Sequence, residues 1–368
     1  MLKNRLIKIL AFPIFGTFFA LLVIEFFLNI TKIIPKVPHF TRQSEVLGFE
    51  HVPEAQDVYK SSEYSIKVLI NNQGFRNDTD VQFNKQEDTK RIVLVGDSFV
   101  EGLQVDLDKT VAKKLEAFLN SNQIDIKYEV LNFGVSGYGL DQKFLYLKNN
   151  VLAFQPNLVI LFFASNDLDD IKNNNIMFLD NNETLQFKQF KKDDKYLVLT
   201  KDLVRKFYIP NAIFRIFKTN NKIENGTKKI PIEHKLYQGI LDNQTSFYLD
   251  LTKRLILESK KITEESGSTF LLVLGVDKTQ VVNSYSKSFI DQYNVTNFDS
   301  DFINQYLGNF VQENSIEYID LLPSFKQVGN PTDLFFIKDG HRSQYGHEVV
   351  AKVLKTKIDN MEEKACNN

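Results

Sequence analysis

With 368 residues, 43% of them hydrophobic and 25% charged, the chain can bury one large α/β domain with additions, or two smaller domains. Its formal net charge of -1 gives no support for nucleic-acid binding, which normally needs a basic surface, so no nucleic acid is expected as a partner. Cys366 is the sole cysteine, which excludes an intrachain disulfide and a cysteine metal cluster while leaving the compartment open.

Lys3, Arg5 and Lys8 precede an apolar run over 9–30 in which Glu25 is the only charge. At helical rise the run spans about 30 Å, enough to cross a hydrocarbon core. The positive flank belongs in the cytoplasm, which places the chain from residue 31 onward on the extracytoplasmic side of the cell membrane. No small-x-small cleavage site follows the run, and it is longer than the apolar stretch of a secretory signal, so residues 1–30 read as a cytoplasmic tip and an uncleaved single-pass transmembrane anchor. A cleaved signal peptide and a buried helix are the alternatives. Glu25 falls near the outer end, where it reaches the interface or marks a helix partner.

Residues 31–87 read as a linker and N-terminal extension: Pro35, Pro38 and Pro53 interrupt 31–60, which looks irregular; 64–69 alternates loosely as an edge strand; and 78–90 is polar and exposed. The organising stretch follows at 91–102, RIVLVGDSFVEG. Ile92 to Val95 form a continuous apolar run, read as a buried parallel strand that ends in a tight turn carrying Ser98, with a helix over about 110–120. A second buried strand at 127–133 runs into the glycine-rich turn GVSGYG at 134–139, then a helix over 140–149. A third strand at 157–163 ends in Ala164, Ser165, Asn166 and Asp167. The pattern loosens over about 169–248, which reads as an insertion, with an aromatic-rich helix at 202–217 and a polar loop at 220–229. Alternation resumes with a helix at 249–266, a fourth strand at 269–274, a helix at 301–313, a short fifth strand at 317–321 and a terminal helix carrying Val350, Ala351, Leu354 and Ile358 on one face, before a polar, frayed tail at 361–368. The expected fold is a three-layer α/β/α sandwich around a mostly parallel five-stranded sheet, with its domain over 88–360.

In such a sheet, ligand chemistry sits at the carboxyl ends of the strands, where Ser98, the glycine turn and Asn166 would lie side by side. A hydroxyl nucleophile needs a base, and the base needs an orienting partner. Of the five histidines, His39 and His51 lie in the irregular N-terminal part, His234 lies in the insertion, and His347 reads as a packing residue of the last helix. His341 has an acid two residues earlier, Asp339, and is the favoured base. The Ser98 amide, the Gly137 amide and the Asn166 side chain are candidate donors to a developing oxyanion, glycine at 137 suiting a close approach of backbone to substrate. Taken singly, Gly137 is also a turn residue and Asn166 an Asx cap. No metal or cofactor is called for.

These four blocks, GDSF at 96–99, NFGVSGYG at 132–139, ASND at 164–167 and DGH at 339–341, resemble those of the SGNH superfamily of GDSL-type serine hydrolases. The resemblance covers about 88–167 and 249–358. It implies a flavodoxin-like sheet, Ser98 as nucleophile, His341 as base oriented by Asp339, and Gly137 and Asn166 as oxyanion donors beside the Ser98 amide. The chain departs from the family pattern where Ala164 replaces a usual glycine and where the acid stands two rather than three residues before the histidine, position 338 being lysine. That DxH form, with GFRN at 74–77 and GYGLDQ at 137–142, resembles membrane-anchored bacterial members, including the branch of exopolysaccharide O-acetylation. The implied activity is ester hydrolysis on an acyl ester or acylated carbohydrate. An O-acetyltransferase or deacetylase of cell-surface or exported polysaccharide, working with exopolysaccharide assembly proteins, and a catalytically silent scaffold are the other readings.

Overall fold

A computed structural model describes residues 2–31, 40–121, 126–180, 184–188, 207–210, 212–213 and 230–367, the side chains of 2–12, 14 and 365–367 excepted. The chain divides into two compact units, one made of 1–39 with 192–228 and the other of 40–191 with 229–368. The expected loop at 220–229 and most of the expected helix at 202–217 lie outside the described residues.

In the first unit, α1 (Leu2–Thr31) is continuous through Pro13. Among its described side chains, Phe15, Phe18, Phe19, Phe26, Phe27 and Ile30 are exposed, whereas Glu25 is buried. The Glu25 carboxylate accepts the backbone N–H of Tyr208 at 2.6 Å and of Ile209 at 2.9 Å. Among the described residues, no helix is long and apolar enough to cross a membrane.

The second unit opens with strands where the proline-bearing sequence promised irregular chain. β1 (Thr41–Ser44) pairs with β2 (Gly48–His51), and β3 (Gln56–Lys60) with β4 (Ser65–Leu69), both antiparallel. Of these four strands only β4 was expected, as the edge strand at 64–69; β1 to β3 were hidden because four or five residues show too little alternation to register. Their inner side chains Phe40, Ile66, Val68 and Ile70 bury against Leu103, so the extension packs onto the same unit as the sheet.

The sheet is built from β5 (Thr89–Gly96), β6 (Lys127–Gly134), β7 (Leu158–Phe163), β10 (Thr269–Leu274) and β11 (Tyr318–Asp320). Its order is β11-β10-β7-β5-β6 and every pairing is parallel. Residue alternation sorts each strand onto two cores. Val93, Val95, Val159 and Leu161 face one layer, while Ile92, Leu94, Leu158 and Ile160 face the other. Both faces are therefore covered, which is why these strands read as unbroken apolar runs.

Between the strands come α2 (Ser98–Glu101), α3 (Val111–Asn120), α4 (Leu140–Tyr146) and α5 (Asp167–Asn174). The helix expected over 140–149 continues past α4 as a π turn at Leu147–Val151 and a 3-10 turn at Leu152–Phe154. The insertion contributes a hairpin, β8 (Met177–Leu179) with β9 (Leu185–Phe187), and α6 (Ile232–Leu236). Then follow α7 (Asn243–Glu265), α8 (Lys278–Val281), α9 (Asn283–Tyr293), α10 (Phe302–Glu313), α11 (Leu322–Lys326) and α12 (Gln344–Asn367). α12 runs on through the tail that was expected to fray from residue 361.

Candidate active site

In this strand order the chain reverses direction across the sheet between β5 and β7, and the crevice beyond the carboxyl ends of those two strands is where an open α/β sheet holds its ligand. Ser98 follows β5 as the first residue of α2, and Asn166 follows β7. Asp97 fixes the turn, its carboxylate accepting the Phe99 N–H at 2.9 Å. α2 then lies against the end of β6 so closely that a Cβ on Gly134 would come within 2.2 Å of the Glu101 backbone nitrogen. Only glycine fits there, and that contact seats the Ser98 turn.

On the other rim, Asp339, Gly340 and His341 precede α12. Gly340 adopts φ +85°, and this left-handed residue folds the chain back so that Asp339 hydrogen-bonds Nδ1 of His341. With Nδ1–H donated to the carboxylate, Nε2 is left to accept, and the Ser98 hydroxyl lies 2.8 Å from it. Ser98, His341 and Asp339 thus form one hydrogen-bonded chain. Burial alone would raise the Asp339 carboxyl, but the hydrogen bonds from His341 and from the Tyr64 hydroxyl outweigh it and hold Asp339 below the ordinary carboxylate value. The Phe99 ring lies 5.3 Å from the imidazole, between it and the buried Arg342 guanidinium, 4.8 Å from the Phe99 centroid.

Asn166 lines the same cleft. Its Nδ2 donates to Asp97 at 3.2 Å and to Asp170 at 2.9 Å, so serving an oxyanion requires exchanging one of these partners. Beneath it, Lys143 is wholly buried, 2.5 Å from Asp167 and 3.7 Å from Asp97. Burial pushes Asp167 up to about 8, with Lys143 opposing the rise and Asp97 adding to it. Gly137 is placed differently. It is absent from the described lining of the cleft; its carbonyl accepts from Asn174 at 3.0 Å, and its Cβ position faces Phe49. The other four candidate residues come together.

The cleft holds about 310 Å³. It is also lined by Glu233, His234, Asp277, Lys278, Thr279 and Tyr285, of which only His234 was considered from the sequence, and then only as a residue of the insertion. Burial, with Asp277, Asp169 and Asp170 nearby, pushes Glu233 up to about 8. Asp277 and Lys278 had a legible signal, since they follow the fourth strand's carboxyl end as Ser98 follows the first. Glu233 and His234 had none, arriving from the insertion. Of the other histidines, His39 lies outside the described residues, His51 is buried against Glu101 at 2.9 Å, and His347 is buried with burial pulling it well below its usual value. Among the described residues, no group of three or more His, Cys, Asp or Glu could hold a metal ion.

A parallel sheet in this order, with a serine, a histidine and a carboxylate hydrogen-bonded in series at its carboxyl edge, has the arrangement of an α/β serine hydrolase. The family comparison agrees: the GDSL-like lipase/acylhydrolase family model matches residues 92–354, and the chain belongs to that family of ester-bond hydrolases. Similar solved structures include the lipase/acylhydrolase from Enterococcus faecalis, 13% identical, covering 74% of this chain and 96% of that one at a TM-score of 0.40. An acetyl-xylooligosaccharide esterase from Geobacillus stearmophilus is 14% identical, covering 73% and 94% at a TM-score of 0.42. No curated protein matches the sequence.

Proposed function

We propose that this protein is a serine-dependent acyl or acetyl esterase working outside the cytoplasmic membrane. The observation that carries the reading is the Ser98–His341–Asp339 chain. The Ser98 proton passes to His341 Nε2 as Oγ attacks the ester carbonyl, and Asp339 steadies the imidazolium. The Ser98 amide and Asn166 are the proposed donors to the oxyanion, Asn166 turning one N–H from Asp97 or Asp170 toward it. Collapse of the tetrahedral intermediate breaks the ester C–O bond, and the alcohol leaves with the imidazole proton. Water then attacks the acyl-serine through His341 as base, releasing the acid and restoring Ser98.

A sugar hydroxyl in place of that water would give O-acetyl transfer, and an acetylated polysaccharide substrate would give deacetylation. Glu233 and Asp277, which line the same cleft as Ser98, favour a hydroxyl-rich substrate, since carboxyls bind hydroxyl groups well. The DxH spacing supports the same anchored, exported branch, with cell-surface or exported polysaccharide as substrate and exopolysaccharide assembly proteins as partners. Residues 1–30 would anchor the chain in the membrane. That part of the reading is supported by Lys3, Arg5 and Lys8 at the start of a 30-residue helix and by the exposed phenylalanines along it.

The test incubates the full chain and Ser98→Ala with an acetylated oligosaccharide, following free acetate and acetyl groups moved to a second sugar. Loss of both products by about 10³-fold or more in the variant is expected. Acetate release that survives the substitution overturns the reading.

A further inference from the structure

The family model begins at residue 92, so it leaves out the β3–β4 hairpin. Yet the tip of that hairpin, between Lys60 and Ser65, reaches the acid of the active site. The Tyr64 hydroxyl donates to Asp339 Oδ2 at 2.5 Å, while Oδ1 serves His341. The neighbouring Glu63 accepts three successive backbone N–H groups of the same loop: Ile337 at 2.7 Å, Lys338 at 2.9 Å and Asp339 at 2.8 Å. From the opposite side, Lys278 Nζ donates to the carbonyls of Phe336 at 2.9 Å and Ile337 at 2.6 Å. The loop that carries the acid is therefore held by its N–H groups from the hairpin and by its carbonyls from α8.

The hairpin tip is itself fixed. The Ser61 N–H donates to the Tyr64 carbonyl at 2.9 Å, and the Tyr64 ring stacks on Tyr59 at 5.5 Å and meets the edge of Phe336 at 5.1 Å. Burial and the adjacent Asp339 raise the Tyr64 hydroxyl above its usual value, so it remains a donor.

We propose that Tyr64 and Glu63 are positioning residues of the reaction, and that the N-terminal extension is part of the catalytic unit rather than a spacer ahead of it. This rests on the Ser98–His341–Asp339 reading. An acid only two residues before its histidine has few backbone conformations in which it can reach Nδ1, so contacts that fix the loop backbone and the carboxylate bear directly on that geometry. The hairpin supplies such contacts: Glu63 fixes the loop backbone and Tyr64 fixes the carboxylate plane. The titratable groups around Asp339 are His341, Tyr64, Tyr59, Glu63 and Lys278.

Full-length wild type, Tyr64→Phe, Glu63→Gln and Ser98→Ala would be compared on p-nitrophenyl acetate across pH, with a thermal melt of each. Tyr64→Phe keeps the ring and removes one donor to a charged acceptor, so kcat should fall about 10-fold with KM within about twofold. A carboxylate that has lost its second donor holds a protonated imidazole more tightly, so the acid limb of kcat/KM should move to higher pH. Glu63→Gln should lower kcat in the same sense, about threefold, and it reads the proposal independently if Tyr64→Phe does not fold. Unchanged kcat and acid limb in folded Tyr64→Phe and Glu63→Gln, whatever their melting points, would overturn the proposal while Ser98→Ala stays inactive. Activity that persists in Ser98→Ala would instead overturn the underlying reading of the site.

Discussion

Gly340 decides whether Asp339 and His341 can meet. At φ +85° it closes the two-residue spacing, and the only crowding an added Cβ would meet is the Tyr285 hydroxyl at 3.7 Å, an ordinary contact. Strain rather than clash is therefore what Gly340→Ala introduces, about 1–2 kcal/mol for a left-handed alanine. The loop can relieve that strain by turning Asp339 away from Nδ1. Initial rates on p-nitrophenyl acetate should fall about 10-fold or more in this variant, a larger loss than its shift in melting point would suggest. The residue identities at 98, 339 and 341 were legible in the sequence because each stands next to a strand end or a tight turn. Tyr64 was not, since 275 positions separate it from the carboxylate it holds and no local pattern marks the pair.

Elements reach the site through their ends. α2 starts with Ser98 and finishes with Glu101, whose buried carboxylate is bound by His51 from β2 and by the Ser136 N–H at 2.6 Å. His51 faces Glu101 with Nε2 and the Gly74 carbonyl with Nδ1 at 3.1 Å, so its ring is held from both sides. Burial alone would raise Glu101, but His51 and Ser136 outweigh it and hold the carboxyl below its usual value. His51→Leu should leave a buried carboxylate short of its main partner and cost about 3 kcal/mol in urea unfolding at pH 7. A depressed carboxyl contributes stability above its unfolded value and loses it as protonation sets in. The stability that Glu101 contributes to wild type should thus be present above about pH 4.5 and be lost as the pH falls below it. The sheet strands were legible as elements because burial on both faces makes them continuous apolar runs. β1 to β3 were not, because short amphipathic hairpins take their identity from what they pack against.

At the scale of the whole molecule, the proposed anchor predicts that the full chain will sediment with membranes and resist high-salt and carbonate washes, whereas a chain lacking residues 1–39 will not; release of the full chain by salt alone would exclude a spanning segment. The sequence alone determined the α/β class, the five strands and the four blocks that carry the family, because hydrophobic period and turn chemistry are local properties of the chain. Only the tertiary structure decided which residues share the cleft. It brought Glu233 and His234 from the insertion and Lys278 from beyond β10 into the cleft that holds Ser98, left Gly137 off the described lining, and set the N-terminal hairpin against Asp339. The physical reason is that a hydrogen bond depends on distances of about 3 Å in space and carries no trace of separation along the chain. Strand order and loop path, which bring such groups together, are fixed only when the two faces of the sheet are covered.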